Sequence, residues 1–350
     1  MRDERPGRSL ISLVIPAFNE ESNIQPFFDE LKATIDQLPE VDWEIIFVDD
    51  GSADMTVAKV IALHEVDQRV KAVQLSRNFG SHPALSAGLS YASGDAAVVI
   101  SADLQDPPDL INAFLAQWRQ GYHIVWGVRE TRDDPWTKTL LANAFYRICR
   151  AVALPNFPKG GMDCGLFDRK VIEVFLGIGE RNGYVFANIL WTGFRQAQVP
   201  YARRARLSGQ SKWGLAKRVK AAIDIIVSFS YLPIRFISYL GIFISCMSFV
   251  YGTFLIIRRT WFGLGGSGWP SVMVAILFLG GVQLIMLGIL GEYIWRASDQ
   301  VRARPLYIVM DEVGFEKTRQ GESTRQAFTP GPHRLSRRQA TSQTSGDDHQ

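Results

Sequence analysis

Short apolar runs alternate with amphipathic stretches along the first 130 residues of the chain. Five apolar runs predict buried strands, at residues 10–16, 43–48, 70–75, 96–100 and 123–127. The stretches between them predict helices, and the first would bury one face made of Phe27, Phe28, Leu31 and Ile35. Strands and helices that alternate in this way predict an α/β fold with a mostly parallel, doubly wound sheet.

Polar or acidic residues follow three of the predicted strands, at 19–20, at 49–50 and at 101–106. Because the carboxyl ends of parallel strands share one edge of a sheet, we expect these loops to form one ligand cleft. Residues 101–106 contain two aspartates and no Cys or His, which suits a hard divalent cation that holds phosphate oxygens. The alternative is an acidic helix cap with a solvated turn, because Pro107 and Pro108 predict the first turn of a helix that begins near Asp109.

Two long apolar runs follow residue 230, at about 236–257 and 272–294. About 20 helical residues cross the hydrocarbon core of a bilayer, so both runs are predicted to span a membrane. Buried helices of a soluble protein are the alternative. Basic residues are more frequent before and after the pair than between its members, which predicts that both ends lie in the cytoplasm. Glu292, near the inner end of the second run, is predicted to pair with a nearby arginine.

These patterns divide the chain into five parts. Residues 1–212 are predicted to form a cytoplasmic catalytic domain and residues 213–232 an interfacial amphipathic segment. Residues 233–296 form the two-helix membrane part and residues 297–320 a cytoplasmic extension. The polar tail at 321–350 is predicted to be disordered.

Composition excludes several classes of function. A net charge of +3 gives no indication of a nucleic-acid partner. Three cysteines without a Cys-x-x-Cys pair support neither a disulfide framework nor a zinc site, and they indicate a reducing compartment. The only Gly-x-Gly-x-x-Gly stretch, at 263–268, lies between the two apolar runs rather than between a strand and a helix. We therefore predict an interhelical loop there and no dinucleotide site.

Several motifs together resemble those of the GT-A family 2 glycosyltransferases, and in particular the polyprenyl-phosphate sugar transferases. The motifs lie at residues 14–20 (Val-Ile-Pro-Ala-Phe-Asn-Glu), 48–52 (Val-Asp-Asp-Gly-Ser), 76–80 (Ser-Arg-Asn-Phe-Gly), 103–108 (Asp-Leu-Gln-Asp-Pro-Pro), 127–129 (Gly-Val-Arg), 206–213 (Arg-x-x-Gly-x-Ser-Lys-Trp) and 291–293 (Gly-Glu-Tyr). Each motif alone is only moderately specific for this family, but the order and spacing of the motifs together are highly specific for it. The resemblance extends from about residue 10 to about residue 310.

The resemblance implies a GT-A catalytic domain and the residues of a donor site. The residues implied in binding the nucleotide sugar are Pro16, Phe18, Glu20, Asp49, Asp50, Arg77, Ser101 and Asp103. Asp103 and Gln105 are implied as ligands of Mg²⁺ or Mn²⁺. For Asp106, a role at this metal site and a cap of the next helix both stay open. Ser101 stands where the family pattern has an aspartate, so metal binding is expected to depend more on diphosphate oxygens and water.

The resemblance also implies a basic acceptor site. The residues implied in binding the acceptor phosphate are Arg129, Arg132, Arg206, Ser211 and Lys212. Guanidinium groups match phosphate geometry, although a basic face against anionic lipid head groups is an alternative, more so for Arg203 and Arg204. The implied catalytic set is Asp163, Arg129, Arg206 and Lys212. Asp163 would orient the acceptor or a sugar hydroxyl, or would only shape its loop.

The implied activity is the inverting transfer of one sugar from a nucleotide diphosphate sugar to polyprenyl phosphate at the cytoplasmic face of a bacterial inner membrane. The resemblance favours UDP-glucose as the donor, with UDP-N-acetylglucosamine, GDP-mannose or a modified arabinose donor as alternatives. A homo-oligomer is compatible with this activity. Two other functions stay open: a processive polysaccharide synthase, although no Gln-x-x-Arg-Trp stretch occurs, and a non-catalytic membrane scaffold that keeps the fold.

Overall fold

The computed structural model describes residues 8–129, 162–180, 184–204, 232–262 and 268–315, together with 147, 150, 156–158, 227 and 230. The strands are β1 (Ser9–Ala17), β2 (Val41–Asp49), β3 (Val70–Leu75), β4 (Ala96–Val99), β5 (Ile124–Arg129), β6 (Cys164–Asp168), β7 (Gln196–Tyr201) and β8 (Val309–Val313). The helices are α1 (Ile24–Ile35), α2 (Thr56–Val66), α3 (Ser81–Tyr91), α4 (Leu110–Arg119), α5 (Arg169–Ile178), α6 (Val185–Trp191), α7 (Leu232–Phe262) and α8 (Trp269–Val301).

All eight strands form one sheet in the order β7-β5-β6-β4-β1-β2-β3-β8. The four strands β3, β2, β1 and β4 are parallel neighbours, as the sequence predicts, and β5 and β7 are also parallel. Strand β6 enters antiparallel between β4 and β5, and β8 pairs antiparallel with β3. The predicted α/β fold is therefore confirmed, with three strands beyond the predicted five.

Helices cover both faces of the sheet because the central strands are apolar on both sides. Leu13 and Ile15 of β1 pack on the side of α1 and α4, whereas Val14 between them packs on the side of α3. The predicted apolar face of α1 is confirmed, since Phe27, Phe28, Leu31 and Ile35 are all buried. The helix after the Asp-rich loop begins at Leu110, so the two prolines precede its first turn rather than form it.

Helices α7 and α8 form an apolar hairpin, and both are long and apolar enough to cross a membrane. The apolar windows lie in Ile234–Leu255 and Val272–Val301, and none of the side chains described there is buried by protein. This exposure does not support the alternative of buried soluble helices. Near the end of α8, Arg296 Nε donates to Glu292 Oε1 at 2.9 Å, which confirms the predicted ion pair.

The chain returns from α8 to the sheet and adds β8 to its edge. Ser76 N donates to the carbonyl oxygen of Ile308 at 2.9 Å, and β8 continues along β3. Tyr91 Oη donates to Glu312 Oε2 at 2.7 Å, which fixes β8 to α3. The predicted cytoplasmic extension therefore contains a strand of the catalytic sheet.

Candidate active site

The loops after β1 and β2 are joined by a set of hydrogen bonds. Asn19 adopts a left-handed conformation with φ of 51°. Its backbone N–H donates to Ser52 Oγ at 2.8 Å, and its side-chain oxygen accepts from Ala53 N at 2.9 Å. Glu20 N donates to Thr56 Oγ1 at 2.9 Å. The two loops therefore form one rigid wall at the carboxyl ends of these strands, as the sequence predicts for a shared cleft.

Asp49, the last residue of β2, is buried and has one oxygen engaged. Its Oδ2 accepts from Gly51 N at 3.1 Å and from Ser52 N at 3.0 Å. Its Oδ1 is also buried but has no hydrogen-bond partner among the described residues. A buried acceptor without a partner costs free energy, so it indicates a missing donor. Asp49 therefore keeps one acceptor oxygen that the described residues do not use.

Asp50 faces the loop after β3 instead. Its Oδ1 accepts from Phe79 N at 2.7 Å and its Oδ2 from Gly80 N at 2.9 Å. Burial raises the pKa of Asp50, and the two N–H donors oppose that effect. The chain approaches closely here, because a Cβ on Gly51 would lie 2.4 Å from the carbonyl carbon of Arg77. Asp50 therefore holds the loop after β3 in place. To bind a ligand as well, its carboxylate would use the lone pairs that remain.

The Ser101–Asp106 loop follows β4 at the same edge of the sheet. Leu104 has a φ of 57°, a conformation that is uncommon for residues other than glycine. The loop turns so that Asp103, Leu104 and Asp106 are buried while Ser101 and Gln105 are half-buried. Asp103 Oδ1 accepts from Gln105 N at 3.2 Å.

Asp106 does not cap α4, which removes the helix-cap alternative for it. Its Oδ1 accepts from Tyr201 Oη, at the end of β7, at 2.6 Å. Burial raises the pKa of Asp106 to about 6, and the charges of Asp163 and Asp103 add to that effect while Tyr201 opposes it. Tyr201 is not among the residues predicted from the sequence, because its contact joins residues that are 95 positions apart.

Arg129 and Asp163, both predicted site residues, form an ion pair. Arg129 is the last residue of β5 and lies beside Tyr201 in the sheet register. Burial acts to lower the pKa of Arg129, but Asp163, Tyr201 and Asp106 together outweigh it and the pKa is raised. The Nε of Arg129 is buried and lacks an acceptor in the described part of the chain. The pair therefore retains one donor for a ligand.

The oxygen donors of the Ser101–Asp106 loop suit a hard divalent cation. The described residues contain no group of three or more His, Cys, Asp or Glu side chains that could hold a metal ion. Asp103 and Gln105 supply oxygen donors, and Ser101 adds a hydroxyl without charge. Such a set would need diphosphate oxygens and water to complete the coordination.

The remaining predicted residues divide into two groups. Pro16, near the end of β1, and Phe18 and Glu20, in the loop after it, are half-buried. Arg77 is exposed, with its guanidinium 4.0 Å from the ring centre of Phe79. The predicted residues Arg132, Arg206, Ser211 and Lys212 lie outside the described residues, as does most of the predicted interfacial segment.

Two family models match the chain. The model "Glycosyl transferase family 2" matches residues 12–176, and the model "GtrB C-terminal hairpin" matches residues 232–297. The first covers the strands that carry Asp49 and Asp103, and the second covers α7 and most of α8.

Relatives match over nearly their whole length. An uncharacterized glycosyltransferase, sll0501, of Synechocystis sp. is 43% identical over 87% of this chain and 96% of its own. The SfII prophage-derived bactoprenol glucosyl transferase of Shigella flexneri is 40% identical over 85% of this chain and 97% of its own. A solved structure of glucosyl-3-phosphoglycerate synthase from Mycobacterium tuberculosis, in complex with Mn²⁺, UDP and phosphoglyceric acid, has a TM-score of 0.46 at 20% identity and covers 62% of this chain and 76% of its own. The chain therefore belongs to glycosyl transferase family 2 and is a glycosyltransferase.

Proposed function

We propose that this enzyme transfers a single glucose residue from UDP-glucose to polyprenyl phosphate, with inversion at the anomeric carbon. The observation that carries the proposal is the match to the bactoprenol glucosyl transferase of Shigella flexneri, which extends over 85% of this chain. That span includes both the catalytic sheet and the apolar hairpin. A soluble acceptor would give no reason for the hairpin to be part of the shared chain.

The donor site favours a uracil base. Asp49 has one oxygen occupied by backbone N–H groups and one oxygen without a partner among the described residues. Uracil offers a single ring N–H, which one carboxylate oxygen can accept. Guanine offers a ring N–H and an adjacent amino group, which are best matched by two carboxylate oxygens. The free oxygen of Asp49 therefore supports a uridine nucleotide over a guanosine nucleotide.

Asp103 and Gln105 would hold Mg²⁺ or Mn²⁺ against the donor diphosphate. The cation would neutralise charge on the departing diphosphate, which is the chemistry that such ions supply. Ser101 provides a neutral oxygen where the family pattern has an aspartate, so this chain holds the cation with fewer protein charges. Asp50 accepts hydrogen bonds from the backbone N–H groups of Phe79 and Gly80, and it thereby holds the loop after β3 beside the proposed donor site.

The acceptor phosphate attacks the anomeric carbon from the face opposite the diphosphate. A phosphate monoester has its second pKa near 6, so it is largely dianionic at neutral pH and needs no general base. The new bond joins a phosphate oxygen to the anomeric carbon, and the bond from that carbon to the diphosphate breaks. One displacement inverts the configuration. Arg129 would orient the phosphate while Asp163 holds its guanidinium, and Arg132, Arg206, Ser211 and Lys212 would add further donors.

The position of β8 supports a membrane hairpin with both ends on one side. Residues 196–201 form β7 and residues 309–313 form β8 of the same sheet. The stretch between them must therefore cross a membrane an even number of times. With two crossings by α7 and α8, we propose that the cleft lies at the head-group level of the inner membrane and that the catalytic domain and both termini lie in the cytoplasm.

The proposal is tested by incubating membranes that contain the full chain with labelled UDP-glucose and undecaprenyl phosphate. We expect a lipid product with one glucose in the β-configuration, from an α-linked donor, and no product from GDP-mannose. A product with several sugars per lipid would instead indicate a processive synthase. The absence of lipid-linked sugar with every common nucleotide sugar would overturn the proposal.

A further inference from the structure

The Ser101–Asp106 loop and the end of β7 are held together by four contacts, one of which is the bond from Gln105 Nε2 to the carbonyl oxygen of Arg204 at 3.5 Å. Tyr201 Oη donates to Asp106 Oδ1 at 2.6 Å. Arg204 N donates to the carbonyl oxygen of Gln105 at 3.0 Å. Arg203 Nε lies 3.8 Å from Asp106 Oδ1. We call these contacts, centred on Asp106 and Tyr201, the loop clamp.

Burial of the polar groups in the loop clamp lowers the stability of the folded protein. Asp106 is 1% exposed and Tyr201 is 5% exposed. The second carboxylate oxygen of Asp106 and the Nε of Arg203 have no hydrogen-bond partner within the described parts of the chain. A buried carboxylate with incomplete hydrogen bonding is unfavourable compared with an apolar pair of the same shape. Stability alone therefore gives no reason for these residues, whereas a need for fixed geometry does.

The two segments that the clamp joins carry the two halves of the proposed site. The loop at 101–106 contains Asp103 and Gln105, the proposed ligands of the donor diphosphate and its cation. At the end of β7, Tyr201 lies beside Arg129, the residue proposed to bind the acceptor phosphate, in the register of β5 and β7. A change at the clamp would thus shift one half of the site against the other.

We propose that Asp106 and Tyr201 are positioning residues that fix Arg129, at the end of β5, relative to the donor loop, so that the acceptor phosphate is held in line with the anomeric carbon. The proposal rests on the proposed function, because it assumes a phosphate acceptor. Neither side chain need touch the reacting atoms. Misalignment by about 1 Å can cost a hundredfold in rate, which is the effect that the clamp would prevent.

The test compares Tyr201→Phe with Tyr91→Phe in the full chain. Both changes remove one hydroxyl that donates to a carboxylate, to Asp106 at 2.6 Å and to Glu312 at 2.7 Å. Tyr91 lies in α3 and contacts β8, so its change serves as the matched control for loss of a hydrogen bond. The measurements are kcat and KM for undecaprenyl phosphate, the affinity for UDP, and the ratio of UDP-glucose hydrolysis to glucosyl transfer.

We expect Tyr201→Phe to reduce kcat/KM for the acceptor at least tenfold and to raise the ratio of hydrolysis to transfer, with the affinity for UDP within twofold of the parent. Tyr91→Phe should leave all of these values unchanged. Asp106→Asn, which keeps an oxygen that accepts from Tyr201, should retain more transfer than Asp106→Leu. If Tyr201→Phe and Tyr91→Phe had the same effect on kcat/KM and on the ratio of hydrolysis to transfer, the proposed positioning role of Asp106 and Tyr201 would be wrong. An inactive parent chain would instead contradict the proposed function.

Discussion

At the scale of single residues, the unpartnered oxygen of Asp49 is the feature with the most direct consequence for donor binding. Asp49→Asn keeps the size of the side chain but removes its charge and can present an N–H group to the base. Since a hydrogen bond to a charged group is worth about 1.5–3 kcal/mol, the affinity for UDP should fall about 10- to 100-fold. Titration calorimetry of UDP in detergent measures this change.

The control for Asp49→Asn is Asp67→Asn. The carboxylate of Asp67 is also engaged, with Arg69 Nη2 at 2.7 Å, but it follows α2 at the opposite end of the sheet from the cleft. This change should lower stability without an effect on UDP. Unaltered UDP affinity in Asp49→Asn would exclude Asp49 from the donor site.

Substitution of Ser101 should change the metal dependence of this enzyme. Ser101→Asp adds a second carboxylate beside Asp103, which a hard cation favours over a hydroxyl. The Mn²⁺ concentration for half-maximal UDP binding should fall several-fold, whereas Ser101→Ala should raise it or leave it unchanged. A metal titration of UDP binding distinguishes the outcomes. A Ser101→Asp variant with weaker metal binding would argue against a cation at this loop.

Glu44 gives the stability a defined dependence on acid. Its buried carboxylate accepts from Ser12 Oγ at 2.6 Å, Lys71 Nζ at 2.7 Å and Ser93 N at 2.9 Å. Burial acts to raise the pKa of Glu44, but the hydrogen bonds outweigh it and the pKa lies below the usual 4.5. The folded state therefore binds fewer protons than the unfolded state, so this contribution is present above pH 4.5 and is lost as the pH falls below it.

Glu44→Gln should lower the stability at pH 7 by about 1–3 kcal/mol and make the stability less dependent on pH below 5. Thermal unfolding in detergent between pH 3.5 and 7 measures both effects. Parallel curves for the two proteins over that range would show that Glu44 does not contribute to the acid dependence.

At the scale of elements, β8 makes the catalytic sheet depend on residues that follow the apolar hairpin. Deletion of residues 305–350 removes β8, its pairing with β3 and the bond between Tyr91 and Glu312. We expect a melting temperature lower by several degrees and aggregation through the open edge of β3. Deletion of residues 321–350, the polar tail, should change neither. Equal melting temperatures for the two shortened chains would contradict this role of β8.

The sequence predicts the elements whose apolar positions form an unbroken run or one face of a helix. Strands β1 to β5 and the face of α1 are such elements. Strand β6 includes Gly165 and ends at Asp168, and β8 contains Asp311 and Glu312 within five residues, so neither stands out by hydrophobicity. The site follows the same rule. The loops after β1, β2 and β4 were predictable as one cleft because parallel strands align their ends, whereas the contact between Asp106 and Tyr201 depends on the unpredicted β7.

At the scale of the whole molecule, the proposed topology places the two ends of the hairpin on one side and its turn on the other. Trp261 lies at the turn and is 79% exposed, and Asp311 is exposed on β8. In chains whose native cysteines are replaced by alanine, Trp261→Cys should react with an impermeant maleimide added to spheroplasts. Asp311→Cys should react only after the membrane is permeabilised. Labelling of both positions, or of neither, from outside would overturn the topology.

The return of the chain to β8 also has a consequence for biogenesis. Strand β8 is translated after both apolar helices, so the edge of β3 stays unpaired until residues 309–313 have left the ribosome. If either helix failed to integrate, β8 would be delivered to the wrong side and the sheet would keep an open edge. Under the proposed topology, an intact sheet edge would therefore require correct membrane integration, and a chain with an open edge would be exposed to aggregation.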